Sequence, residues 1–162
     1  MTKWLVANTT NVLNGKIEHT VKERPLLHAC CNTDHFADVN IDIRPEVNPD
    51  FVCDVTKPLP FNKEQFKAGV MDTPWIGKWR WQCHKAIREM LKVCEVVYTI
   101  NPWVYGWRGV TPECLNVSWR PGINHPILFM KYYKTEKFWN EVDKQDENLS
   151  LQAKQSGKVK QI

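Results

Sequence analysis

No two cysteines stand at C-x-x-C spacing in this 162-residue chain, and its five histidines form neither an H-x-x-x-H repeat nor an H-E-x-x-H motif. The usual zinc signatures, in which thiolates and imidazoles are supplied at such short spacings, are missing, and no metal site is expected. No apolar run approaches the roughly 20 residues that a membrane-spanning helix needs. The opening MTKWLVANTT lacks the long apolar core of a signal peptide. A cytoplasmic protein without a membrane span is therefore expected. Charge of one sign does not dominate either: 22 Lys and Arg stand against 18 Asp and Glu, a net charge of +4. Such a balance attracts polyanions only mildly and does not by itself indicate nucleic-acid binding.

What is present suits one globular domain, since 43% of the residues are apolar and 11% aromatic, enough for a closed core at this length. Cys30, Cys31, Cys53, Cys83, Cys94 and Cys114 mostly sit singly inside apolar runs. They read as reduced core residues rather than a disulfide framework.

Along the chain, NVLNGKIEH places Asn14-Gly15 between apolar residues, a two-residue hairpin signal that predicts a ribbon within residues 1–24. PLLHACC, ADVNIDI and DFVCDV then follow as three short strands, FKAGVMD as a fourth, EVVYTINPW as a fifth, CLNVSW as a sixth and PILFMKYYK as a seventh. KWRWQCHKAIREMLKVC is a helix, because Trp79, Cys83, Ala86, Ile87, Met90, Leu91 and Cys94 recur at three- and four-residue steps. Its other side carries Arg80, His84, Arg88 and Lys92, a stripe that suits a solvated face or a phosphate track. From residue 140 the aromatic residues and the apolar periodicity fade, which predicts a mobile tail over 140–162 with a helical start.

Strands that are apolar throughout, with a helix between the fourth and fifth, argue for an open α/β sheet that is mainly parallel. Only NTDHF and RPEVNP separate the first three strands. A parallel crossover normally takes a dozen or more residues. Either these strands are antiparallel, or their covering helices are reduced to loops and single turns.

The order PLLHACCNTDHFADVNIDIRPEVNPDFVCDVTKPLPF followed by VMDTPW resembles the class I S-adenosylmethionine-dependent methyltransferases, in particular small members from phages and archaeal viruses. The resemblance spans about residues 25–133, within a methyltransferase-like domain over 25–139. It implies a Rossmann-like, mostly parallel sheet with reduced helices between the first strands, and S-adenosylmethionine as cofactor. It also implies that Cys30, Cys31, Asn32 and Thr33 form the loop facing the methionine part, that Asp42 with Ile43 holds the ribose, and that Asp54 with Val55 holds the adenine. A carboxylate at the end of a parallel strand projects into the crevice where such sheets bind ligands.

In the same resemblance Asp72, Thr73, Pro74 and Trp75 stand where members that methylate amino nitrogens carry D/N-P-P-Y/F/W. Asp72 and the Thr73 carbonyl would accept the two N–H bonds of the amine and so return lone-pair density to it. Pro74 biases Thr73 toward an extended backbone. Trp75 would stack on a flat base. The expected activity is methyl transfer to adenine N6 or cytosine N4 of nucleic acid, with Asn101 and Trp103 in the substrate wall. Two features depart from the family: CCNTDHF has no glycine for close backbone approach, and Thr73 replaces a proline. The rival readings are a binding or scaffold protein that kept the sheet without catalysis, and a methyltransferase for protein or a small molecule.

Overall fold

The computed structural model describes residues 17–73, 79–118, 126–144 and 147–148. Seven strands follow the predicted order: β1 (Leu26–Ala29), β2 (Val39–Asp42), β3 (Phe51–Val52), β4 (Phe66–Asp72), β5 (Cys94–Asn101), β6 (Val110–Ser118) and β7 (Ile127–Lys134). Helix α1 (Trp79–Val93) joins β4 to β5, and a helix α2 covers 138–144. They build one sheet in the order β3-β2-β1-β4-β5-β7-β6. The neighbours from β3 to β5 run parallel, while β7 is antiparallel to both β5 and β6. The chain winds outward from β1 to β3, then returns to place β4 on the other side of β1. This reversal is the topological switch point of a doubly wound sheet, the place where such sheets bind ligands.

The early strands are thus parallel despite their short links. Residues 30–38 cross from β1 to β2 with no helix, and residues 43–50 cross from β2 to β3 with only the 3-10 turn Pro45–Val47. Side chains satisfy amides at these crossings. Asp50 accepts from the Asn40 backbone N–H at 2.7 Å and from its side-chain amide at 3.0 Å, while the Asn40 carbonyl accepts from Asp50 N–H at 2.8 Å. Asp38 accepts from Leu26 N–H at 2.7 Å. Each acid, placed at or just before the start of a strand, holds the strand before it, which lets a short crossover close without leaving those donors unpaired.

Both faces of the central strands β1, β4 and β5 are covered, which explains why they read as mostly apolar, whereas the edge strands β3 and β6 are largely exposed. On one face α1 sets Cys83, Ala86, Ile87, Met90 and Leu91 against Leu27, Ile41, Met71 and Val97. Gly69 permits the close approach, because a Cβ there would lie 2.5 Å from Met90 Cε and 2.8 Å from Cys94 Sγ. On the other face Val21, Leu26, Val70, Tyr98 and Phe129 gather with Phe36 and Ala37. Burial of each large side chain contributes about 1.5–3 kcal/mol.

Helix α2 closes the first face with Phe138 and Val142, both buried, so the packed chain extends beyond residue 140. A single valine on a short polar helix leaves almost no periodic signal. The Asn14-Gly15 hairpin and most of the 145–162 tail lie outside the described residues. All six cysteines are free, and Cys114 is exposed where the others are buried or half-buried, because β6 forms the sheet edge.

Candidate active site

The carboxyl ends of β1, β2 and β3 open on one pocket of about 30 Å³, lined by Cys30, Ile41, Asp42, Ile43, Cys53, Asp54 and Val55. Asp42 closes β2 and is 5% exposed. Its Oδ1 accepts from Arg44 N–H at 3.0 Å and Arg44 Nε at 3.1 Å, and its Oδ2 from Asn32 N–H at 3.0 Å and Arg44 Nη2 at 3.3 Å. Burial alone would raise the Asp42 pKa, but the guanidinium and the two amides outweigh it and hold the carboxyl below its usual range. Asp54, half-buried, uses Oδ1 to accept both the N–H and the hydroxyl of Thr56, at 2.9 and 2.7 Å. Val55 is buried beside it, whereas Ile43 is 59% exposed at the rim.

The glycine-free loop takes the left-handed backbone that glycine usually supplies. Cys30 has φ 57° and Asn32 φ 50°. Asparagine tolerates this region, while for Cys30 it costs about 1–2 kcal/mol. Cys31 is buried and donates its N–H to Ile41 O at 3.2 Å, extending the contact of β1 with β2, and Thr33 is exposed on the turn. The Cys30 thiol is driven strongly upward in pKa, by burial first and then by the negative charges of Asp42 and Asp72. It stays protonated, and it lies within electrostatic reach of both acids, which ties the end of β4 to the pocket at β2.

Asp72 ends β4 and is exposed; Thr73 behind it is 1% exposed, its hydroxyl accepting from the Cys83 thiol at 3.7 Å. Helix α1 thereby fixes the backbone that follows the acid. Pro74 and Trp75 lie outside the described residues.

Asn101, expected in the substrate wall, is 0% exposed; its amide donates to Thr99 Oγ1 at 2.7 Å and its carbonyl accepts Trp103 N–H at 3.0 Å. It shapes the turn after β5. Trp103 is half-buried against the α1-side core. Tyr105 is buried, donates its N–H to the Tyr132 hydroxyl at 3.2 Å and stands edge-on to His84. The aromatic run after β5 is therefore largely core.

His28 is 2% exposed, with Nδ1 2.9 Å from the Asp34 carbonyl and its ring tilted on Phe36. It faces away from the α1 side and is a satisfied core residue. The basic stripe on α1 is not simply solvated, since Arg88 and Lys92 both pair with the buried Glu89. Arg44 is the residue that sequence reasoning missed; its one signal is its place two positions after the strand-end acid. Among the described residues no group of His, Cys, Asp and Glu could hold a metal ion, and no helix is long and apolar enough to cross a membrane.

No protein-family model and no curated protein matches the sequence. Among solved structures, the PH0226 protein from Pyrococcus horikoshii OT3 superposes with a TM-score of 0.50 at 12% identity, over 78% of this chain and 88% of that one. PH1948 from Pyrococcus horikoshii, provisionally identified as an RNA methyltransferase, gives 0.43 at 13% identity over 68% and 74%. TM1293 from Thermotoga maritima, an S-adenosylmethionine-dependent methyltransferase provisionally linked to histamine, gives 0.38 at 16% over 52% and 46%. The fold assignment rests on the first of these and on the strand order. The chain has an α/β, Rossmann-like sheet, mostly parallel, with reduced helices between the first strands.

Proposed function

We propose that this chain is an S-adenosylmethionine-dependent methyltransferase acting on an amino nitrogen, adenine N6 or cytosine N4 of nucleic acid. The observation that carries the reading is that Asp42, Asp54 and Asp72 lie at or just past the carboxyl ends of the parallel strands β2, β3 and β4, on the two sides of β1 at the β1/β4 switch point. The donor set suits a nucleoside: one acid for vicinal hydroxyls, a second for an exocyclic amine, and the apolar pair Ile43 and Val55 for a flat ring. At about 30 Å³ the opening is smaller than a nucleoside, so binding requires the exposed Arg44 side chain to leave Asp42.

When bound, S-adenosylmethionine supplies a methyl carbon made electrophilic by its sulfonium. The chain's own residues position and polarise. Asp42 exchanges its Arg44 bonds for ribose hydroxyls, and Asp54 keeps Oδ1 on Thr56 while Oδ2 accepts from the adenine amine. Asp72 accepts one N–H of the substrate amine and the Thr73 carbonyl the other, so the nitrogen lone pair is withdrawn from the ring and aimed at the methyl carbon. The Asp72 carboxylate would take the proton that the amine gives up on methylation, and its exposure would let water remove it. Trp75 stacks on the base, and a base in a duplex must first be flipped out.

A tritiated-methyl screen over single- and double-stranded DNA and RNA tests the reading. Label incorporated by wild type and lost in Asp72→Ala supports it. Binding of S-adenosylhomocysteine without transfer to any nucleic acid removes the nucleobase assignment, and no binding by folded protein removes the cofactor assignment.

A further inference from the structure

Arg44 does more than pair with Asp42. Its Nη2 lies 3.2 Å from the side-chain oxygen of Asn32 as well as 3.3 Å from Asp42 Oδ2, so one guanidinium clasps the loop after β1 to the acid that ends β2. The clasp closes the mouth of the pocket at Asp42, and it is fastened from outside, by an exposed cation on a buried carboxylate. A nucleoside that takes Asp42 must turn this cation outward. Little on the protein then receives it. Glu46 is the other carboxylate that acts on the guanidinium, but both side chains are exposed, and such a pair gains little in water. Nearby, the turn after β3 presents a further exposed cation, Lys57, whose N–H donates to the Asp54 carbonyl at 2.9 Å.

We infer, on the methyltransferase reading, that Arg44 couples the cofactor pocket to the nucleic-acid backbone: by leaving Asp42 for a backbone phosphate it frees the ribose acid, so polyanion and cofactor promote each other's binding. The guanidinium cannot serve both anions at once, and that competition is the device. Its geometry suits the exchange. Nε and Nη2 are already set on the two oxygens of one carboxylate, the two-pronged arrangement that a phosphate offers equally well. Without polyanion the clasp stays fastened and the opening, about 30 Å³, is too small for a nucleoside. With a phosphate on Arg44 the same opening is released, and Asp42 keeps the amides of Asn32 and Arg44 while the ribose hydroxyls replace the guanidinium. Linkage then makes the effect mutual.

Calorimetric titration of the full chain with S-adenosylhomocysteine, alone and with saturating oligothymidylate at one ionic strength, tests the coupling. Thymine has no exocyclic amine, so this oligomer supplies phosphates without a methyl acceptor. In wild type the oligomer tightens S-adenosylhomocysteine about five-fold, near the low end of coupling between sites, and S-adenosylhomocysteine tightens the oligomer by the same factor. In Arg44→Ala the two affinities for S-adenosylhomocysteine become equal, with thermal unfolding to show that the variant is folded; Arg44→Gln, which keeps an amide donor for Asp42, replaces it if it is not. The inference alone is overturned if S-adenosylhomocysteine binds wild type but oligothymidylate does not bind or leaves that affinity unchanged, or if the gain survives the loss of the guanidinium. Folded wild type that binds no S-adenosylhomocysteine, with or without the oligomer, removes the cofactor assignment and the coupling with it.

Discussion

Arg44 grips Asp42 at both carboxylate oxygens, with Nε 3.1 Å from Oδ1 and Nη2 3.3 Å from Oδ2. The two backbone amides of Asn32 and Arg44 take the other positions, so the acid proposed for ribose is fully engaged by the protein itself. Arg44 is 48% exposed in its side chain but Asp42 only 4%, so the guanidinium compensates a buried carboxylate. Arg44→Ala therefore lowers the melting temperature, leaving Asp42 on its two amides, and tightens S-adenosylhomocysteine because the ribose no longer has to displace the guanidinium. Asp42→Ala weakens it by about 1–3 kcal/mol, leaving ligand hydroxyls unpaired. Loss of binding in Arg44→Ala would make Arg44 a ligand contact rather than a competitor.

At the end of β4, Asp72→Ala abolishes methyl transfer and leaves cofactor binding nearly intact, because the carboxylate is proposed to hold the amine and not the cofactor. Thr73→Val removes the hydroxyl that accepts from Cys83 but keeps the backbone carbonyl, so it retains turnover at a stability cost of about 1 kcal/mol. Turnover by Asp72→Ala equal to wild type would end the clamp reading.

His28 gives a pH dependence with a definite sign. The Asp34 carbonyl can only accept, so Nδ1 carries the proton of a neutral ring, and burial pushes the pKa down to about 4. In the unfolded chain histidine titrates near 6.5. Between these values the unfolded state binds more protons, so stability falls as pH drops from about 6.5 to about 4, by about 3 kcal/mol in all. His28→Asn, which keeps a donor for Asp34, flattens this slope; urea midpoints at pH 7 and 4.5 measure it.

Gly109 and α2 report on the packing of the C-terminal helix. Gly109 has φ 85°, and a Cβ there would sit 2.8 Å from Phe138 Cα, a backbone atom that cannot swing away. Gly109→Ala therefore destabilises by at least about 1–2 kcal/mol from backbone conformation alone. Truncation after Trp139 removes buried Val142 and costs about 1.5–3 kcal/mol, whereas truncation after Lys144 keeps it. Equal melting temperatures for the two truncations would show that Val142 adds nothing.

β1, β2, β4, β5, β7 and α1 were legible because each is a run of apolar or periodic residues that are mostly buried, whereas β3 and β6 were legible as apolar runs although the sheet edges leave them largely exposed. The direction of β1 to β3 was not legible. Their short links fit either sense, and the decision lies in contacts such as Asp50 on Asn40, which join residues ten apart and leave no periodic trace. The same limit hid the site's details. Asp42 and Asp54 can be placed from strand ends, but Asn101 shares that position and turns inward, and only the bond to Thr99 distinguishes it.

The sheet's outer margins carry a consequence for the concentrated protein. At one edge β3 has two residues, too few to template another strand. At the other, β6 is nine residues long, yet Pro112 offers no N–H and the register slips between Cys114 and Asn116. Among the described residues, a second copy seeking to continue the ladder meets a stub on one side and a broken comb on the other, so strand addition finds no ready end at these two edges.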